Sequence, residues 1–205
     1  MSIGARVEQV VRGVVAAAVR AAGADGVVVL EDWTAEGELL YEWLVRELGE
    51  ARVWRVASLA SNVQGVPGTM EAQLVAAWRA SREGRALLAH PVNRTALLLG
   101  GPPPRADLLP FGDVPASQLE ALTGGWTASP EIEQVAAAAG GVQALDRALG
   151  RWIDERWTVE NALADVDPAV ARRIVELYER GRYYRLRPLV VPKLGARTIG
   201  IDLFD

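Results

Sequence analysis

The chain lacks cysteine altogether and contains a single histidine among its 205 residues. Without cysteine it cannot form disulfides, thiolate metal sites or a thiol nucleophile, and it is compatible with a reducing compartment. It also lacks an uninterrupted apolar run of the roughly 20 residues that a membrane-spanning helix needs. We therefore predict a cytoplasmic protein that has no membrane partner and no thiol chemistry.

An excess of basic residues is also missing. The sequence has 22 Lys and Arg residues against 26 Asp and Glu residues, which gives a net charge of −4. Because proteins that bind nucleic acid usually carry a basic face, we expect no nucleic-acid partner. Hydrophobic residues make up 50% of the chain, which favours a globular protein with a sizeable core. At this length we predict one domain over residues 1–205.

The sequence begins with the pattern of a strand between two helices. The continuous apolar run from Gly26 to Leu30 is rich in β-branched residues and predicts a strand that is covered on both faces in a parallel sheet. A helix is predicted before it, ending at Gly23. After it, the apolar spacing from Ala35 to Leu48 predicts a second helix, with Thr34 as its N-cap and Gly49 as its end.

Two further strands are predicted downstream. Residues Arg52 to Ala57 alternate in polarity, which predicts a more exposed strand near an edge, and Ala86 to Ala89 predicts a third strand. Between them we predict a polar loop from Ser58 to Gly68 and a helix from Thr69 to near Gly84. This alternation predicts a Rossmann-like α/β fold over residues 1–100, with a doubly wound, mostly parallel sheet. Ligands bind beyond the carboxyl ends of the strands in such sheets.

The second half, residues 101–205, has a mainly helical pattern. One helix is predicted to begin at Ser129-Pro130 and to end at Gly140-Gly141, because proline suits the first helical position and glycine suits the end. Another is predicted to begin at Asp167-Pro168 and to end at Gly181. We therefore expect the sheet to be completed by a helical C-terminal part.

From Asn93 onwards the sequence contains a series of short motifs. These motifs, and the order in which they occur, resemble those of the NAD synthetase family. Asn93-Arg94-Thr95 and Leu97 to Gly100 resemble the family segment G-T-x-N-R-T-E-x-x-L-G, and Asp107 to Asp113 resembles D-x-x-P-x-G-D-L. Later matches are Leu145-Asp146-Arg147, Thr158 to Asn161, Asp167-Pro168 and Tyr183-Tyr184-Arg185. The resemblance implies a fold of the adenine nucleotide α-hydrolase type. For the family it implies a homodimer that converts deamido-NAD and ammonia to NAD with ATP and magnesium.

The resemblance also implies where a nucleotide would bind. The family's first βα turn reads S-G-G-x-D-S, and its glycines let backbone amides and a helix N-terminus hold pyrophosphate. The aligned residues here are Asp32-Trp33-Thr34-Ala35-Glu36-Gly37. Trp33 and Thr34 would fill the phosphate space, and Glu31 and Asp32 would repel an anion in the absence of a metal. The turn therefore predicts the loss of the pyrophosphate site.

Other positions that the resemblance makes functional are changed as well. The family's acidic residue after N-R-T is Ala96 here, and its lysine in G-D-L-x-K-T is Ala116. Its closing loop has shrunk to the proline-rich segment from Gly101 to Arg105. Adenylyl transfer needs metal, cations and positioning together. We therefore predict a protein without synthetase activity that acts as a dimeric binding or interaction protein.

Two alternatives to this prediction stay open. The first is a divergent ATP- or dinucleotide-dependent enzyme, an amide-forming ligase related to NAD synthesis that uses the acidic turn for altered, metal-assisted chemistry. The second is a structural scaffold that binds no small ligand.

Each candidate site residue has a structural alternative. The residues that would remain from a nucleotide-binding site are Asp32, Thr34, Glu36, Asn93, Arg94, Thr95 and Asp113. Glu31, Asp32 and Glu36 are the metal-ligand candidates, although Asp32 and Thr34 could instead cap the following helix. His90 is the catalytic candidate, as a general base, whereas Pro91 beside it favours a tight turn. The side chains of Asn93, Arg94 and Thr95 could equally fasten the loop after the third strand.

Overall fold

The computed structural model describes residues 2–30, 34–55, 85–100 and 106–185. These residues form two compact units: residues up to 91 together with 106–111 form the first, and residues 92–100 with 112–185 form the second. Several predicted features lie outside the described residues: the loop from Ser58 to Gly68, the helix from Thr69 to near Gly84, the proline-rich segment from Gly101 to Arg105, and Glu31, Asp32 and Trp33.

A parallel sheet forms the centre of the first unit. Its described strands are β1 (Gly26–Val29), β2 (Val53–Arg55) and β3 (Ala86–Ala89), in the order β2-β1-β3. All four residues of β1 are buried, as its continuous apolar run predicts for a central parallel strand. A Cβ atom at Gly26 would lie 2.1 Å from the carbonyl oxygen of Arg52, so the close approach of β1 and β2 requires glycine there.

Two helices of the first unit follow the predicted bounds closely. Helix α1 (Ile3–Ala22) ends at Gly23, whose φ of 60° is a left-handed conformation that glycine adopts without strain. Helix α2 (Ala35–Leu48) begins after Thr34 and ends at Gly49. It buries Trp43, whose ring meets that of Phe111 edge-on with centroids 5.6 Å apart. These apolar contacts anchor α2 within the core of its unit.

The second unit is helical, as predicted. Its helices are α3 (Arg94–Leu99), α4 (Ala116–Thr123), α5 (Pro130–Ala138), α6 (Val142–Leu149), a π-helix (Gly150–Asp154), α7 (Val159–Ala162) and α8 (Pro168–Arg185). Helix α8 packs against α3 and α5, and α6 packs against α4 and α5. Among the described residues, no helix is long and apolar enough to cross a membrane.

The prediction that the last helix ends at Gly181 is wrong, because α8 continues to Arg185 and Gly181 is buried within it. Glycine in a helix interior costs only about 1 kcal/mol relative to alanine. Ile174 and Leu177 on the same helix are fully buried, and each contributes roughly 1.5–3 kcal/mol. Tertiary packing therefore outweighs the local signal for a helix end.

Candidate functional site

The start of α2 lies after β1, where an open α/β sheet places its ligands. The hydroxyl oxygen of Thr34 accepts a hydrogen bond from the Gly37 amide at 3.0 Å, and the Thr34 carbonyl accepts one from the Glu38 amide at 2.9 Å. The prediction that Thr34 caps this helix is therefore confirmed. Free amides at a helix N-terminus attract anions, and Thr34 uses one of them within the protein.

Glu36 is the second distinctive residue of this turn. It lies in the first turn of α2 and is 1% exposed, so the helix start carries a buried carboxyl group of its own. A carboxylate is favourable beside a helix N-terminus, but it repels any further anion at the same place. Glu31 and Asp32, the other metal-ligand candidates, lie outside the described residues. Within the described ranges, no group of three or more acidic or histidine residues is arranged to hold a metal ion.

An ion pair that the sequence did not predict joins α2 to β2. The Arg55 guanidinium donates two hydrogen bonds to the Glu38 carboxylate, one of them at 2.7 Å. The same guanidinium lies 3.8 Å from the centroid of the Tyr41 ring. Hydrogen bonding from Arg55 holds the pKa of Glu38 below its ordinary value, despite the opposing effect of burial. The pair fixes the first two turns of α2 to the end of the neighbouring strand.

His90 follows β3 directly, as predicted, and is only 3% exposed. Its backbone amide donates to the carbonyl of Leu108 at 3.0 Å, and Leu108 also bridges to Ala89 in parallel. The amide of Leu88 donates to the Asp107 carboxylate at 2.8 Å. Asp107 and Leu108 thus pair with the end of β3. A general base must reach a substrate proton, and the burial of His90 leaves it little contact with solvent.

In the second unit, Asn93 is the N-cap of α3. Its side-chain oxygen accepts from the Ala96 amide at 2.9 Å, and its side-chain nitrogen donates to the Thr127 carbonyl at 3.1 Å. Both ends of the amide group are therefore bonded to protein. The first bond satisfies a helix N-terminal amide, which is the usual role of asparagine at this position.

Arg94 is 8% exposed and forms a two-pronged ion pair. Its terminal nitrogens donate to the two carboxylate oxygens of Asp154 at 2.9 and 2.6 Å, and its Nε lies 3.9 Å from Asp113 Oδ1. Burial would lower the pKa of the guanidinium, but the bonds to Asp154 and the charges of Asp113 and Asp146 outweigh that effect and raise it. Arg94 is therefore a permanent cation enclosed by carboxylates.

Thr95 and Asp146 together cap the start of α4. Pro115 holds the N-cap position of α4, and proline has no side-chain acceptor. Thr95 Oγ1 accepts from the Ala116 amide at 3.0 Å, and Asp146 Oδ2 accepts from the Ser117 amide at 2.7 Å. The Thr95 hydroxyl donates in turn to Asp146 Oδ1. Residues from two other helices thus supply the cap that α4 lacks locally.

The structure therefore brings Arg94, Thr95 and Asp113 together with two aspartates that were not among the candidate residues, Asp146 and Asp154. The side chain of Asn93 bonds instead to Ala96 and Thr127. Asp146 could have been found, since it belongs to the matched segment Leu145-Asp146-Arg147. Asp154 had no comparable signal. We call this group the Arg94 network. Its contacts join α3 to α4, α6 and the π-helix. Such contacts are expected if these side chains fasten the segment after β3.

The parallel sheet and the helical second half define a Rossmann-like α/β protein with the fold of NAD synthetases. The structure is similar to the NH3-dependent NAD synthetase from Campylobacter jejuni subsp. jejuni NCTC 11168, solved in complex with the nitrate ion, with a TM-score of 0.61 and 13% sequence identity. The similarity covers 93% of this chain and 99% of that one. At this identity it establishes the fold, which confirms the predicted fold class.

A second similar structure is the glutamine-dependent NAD+ synthetase from Acinetobacter baumannii, solved in complex with adenosine diphosphate. The TM-score is 0.48 and the identity 15%, over 98% of this chain and 49% of that one. This chain therefore spans about half the length of that protein. No protein-family model and no curated protein sequence matches this chain.

Proposed function

We propose that this chain is an NAD-synthetase-like protein that has no synthetase activity and acts as a dimeric binding or interaction protein. The observation that carries the proposal is the start of α2, where Thr34 bonds a helix amide and Glu36 is buried at 1% exposure. In an active relative of this fold we expect this turn to be open to phosphate. Here Thr34 already occupies one helix amide, and Glu36 places a carboxyl group in the first turn.

The electrostatic cost of a phosphate beside Glu36 gives the size of this effect. Two like unit charges about 5 Å apart repel by about 3 kcal/mol at an effective dielectric constant of about 20. Since about 1.4 kcal/mol corresponds to a tenfold change in affinity, an ionised Glu36 would weaken phosphate binding by about two orders of magnitude. A cation bound at the same place would offset this repulsion.

Two residues of the second unit, Ala116 and Arg94, support the same proposal. Ala116, where the resemblance has a lysine, is 0% exposed, and its amide is bonded to Thr95. It supplies no cation for a triphosphate. Arg94 is a cation, but Asp154 and Asp113 already surround it. The residues that still match the family therefore have a sufficient explanation in the contacts of the Arg94 network.

The proposal is tested by calorimetric titration with ATP, AMP and deamido-NAD, each with and without magnesium, combined with an assay for AMP release in the presence of ammonia. We expect no magnesium-dependent turnover. The NH3-dependent enzyme from Campylobacter jejuni, assayed in parallel, shows that the conditions support catalysis. Tight, magnesium-dependent ATP binding accompanied by NAD formation would overturn the proposal.

The buried carboxyl group of Glu36 also favours one alternative. A divergent ATP- or dinucleotide-dependent ligase could use Glu36, with Glu31 and Asp32, to hold a divalent cation that offsets the repulsion. In that case ATP binding should require magnesium and should be lost in Glu36→Gln. If none of the nucleotides binds under any condition, the remaining alternative is a scaffold without a small ligand.

The assembly and location of the protein complete the proposal. We propose a homodimer in the cytoplasm, built from one domain over residues 1–205. Light scattering should give twice the 22.1 kDa mass of one chain, and a mass equal to one chain would contradict the dimer. Thermal unfolding should show one cooperative transition, whereas two separate transitions would contradict the single domain.

A further inference from the structure

We draw no further inference here: the strongest candidate, the apolar groove of about 500 Å³ between α7 and α8 that is lined by Val159, Leu163, Val166, Ala171 and Val175, carries none because nothing in the part of the chain that the structure describes shows what covers it.

Discussion

Replacing Asp146 by alanine should destabilise the protein through the start of α4. The Asp146 carboxylate accepts one hydrogen bond from the Ser117 amide at 2.7 Å and another from the Thr95 hydroxyl. Alanine removes both acceptors and leaves two donors, one on the backbone and one on a side chain, without their partner. The fold provides no local substitute, because the N-cap residue of α4 is Pro115.

The expected magnitude follows from the kind of bond that is lost. A hydrogen bond to a charged group contributes about 1.5–3 kcal/mol. Because Asp146 is only partly buried, each of its two bonds should lie near the lower end of this range. We therefore expect Asp146→Ala to cost about 3 kcal/mol of unfolding free energy. Asp146→Asn keeps one acceptor oxygen and should cost about half as much. Thr95→Val should cost about 2 kcal/mol, because it removes the acceptor for the buried Ala116 amide.

The assay is urea unfolding followed by circular dichroism, with Arg147→Ala as the matched control. Arg147 lies next to Asp146 on the same helix and is exposed, so its replacement should change the unfolding free energy by no more than about 0.5 kcal/mol. Since Thr95 and Asp146 contact each other, the double variant should cost less than the sum of the two single variants. A cost for Asp146→Ala as small as that of the control, or strict additivity with Thr95→Val, would refute the shared cap.

Three further predictions concern charged groups. Glu36→Gln should bind inorganic pyrophosphate at least about tenfold more tightly than the unaltered protein by calorimetry, a gain of about 1.4 kcal/mol. Glu42→Gln, at an exposed position of the same helix, should bind it as weakly as the unaltered protein; equal affinities in all three would contradict the repulsion. Arg94→Lys keeps the charge but loses the paired bonds to Asp154, so urea unfolding should show a loss of about 2 kcal/mol, and an unchanged midpoint would contradict the paired geometry. The pKa of Glu38 is lowered by Arg55, so their pair stabilises the protein above the ordinary pKa of 4.5 and is lost as the pH falls through the lower folded value. The stability difference between the unaltered protein and Glu38→Gln should therefore shrink between pH 7 and pH 3, and a constant difference would count against the pair.

The first unit shows which features of a fold can be predicted from its sequence. Strand β1 and helix α2 lie where they were predicted because their signals are local: a continuous β-branched run, a threonine N-cap and a terminal glycine. Strand β3 matches its prediction for the same reason. The end of α8 could not be predicted from the local glycine signal, because tertiary packing stabilises the helix beyond Gly181.

The candidate site was less predictable because its contacts join distant parts of the chain. Asn93 caps the helix that directly follows it, and such a role can be predicted from neighbouring residues. Arg94 and Asp154 are 60 residues apart, and Asp154 is placed by a π-helix, which no periodicity in the sequence indicated. Hydrophobic patterns predict which face of an element is buried, but they do not specify which carboxylate meets a buried guanidinium.

The shared cap of α4 has a consequence for how this unit opens. A helix of eight residues is too short to be stable alone in water, and its first amides are bonded by side chains from α3 and α6. Its start can therefore form only when those two helices are in place. The amide hydrogens of Ala116 and Ser117 should exchange with solvent only when α3, α4 and α6 separate, so their exchange rates report the cooperative opening of the three helices together.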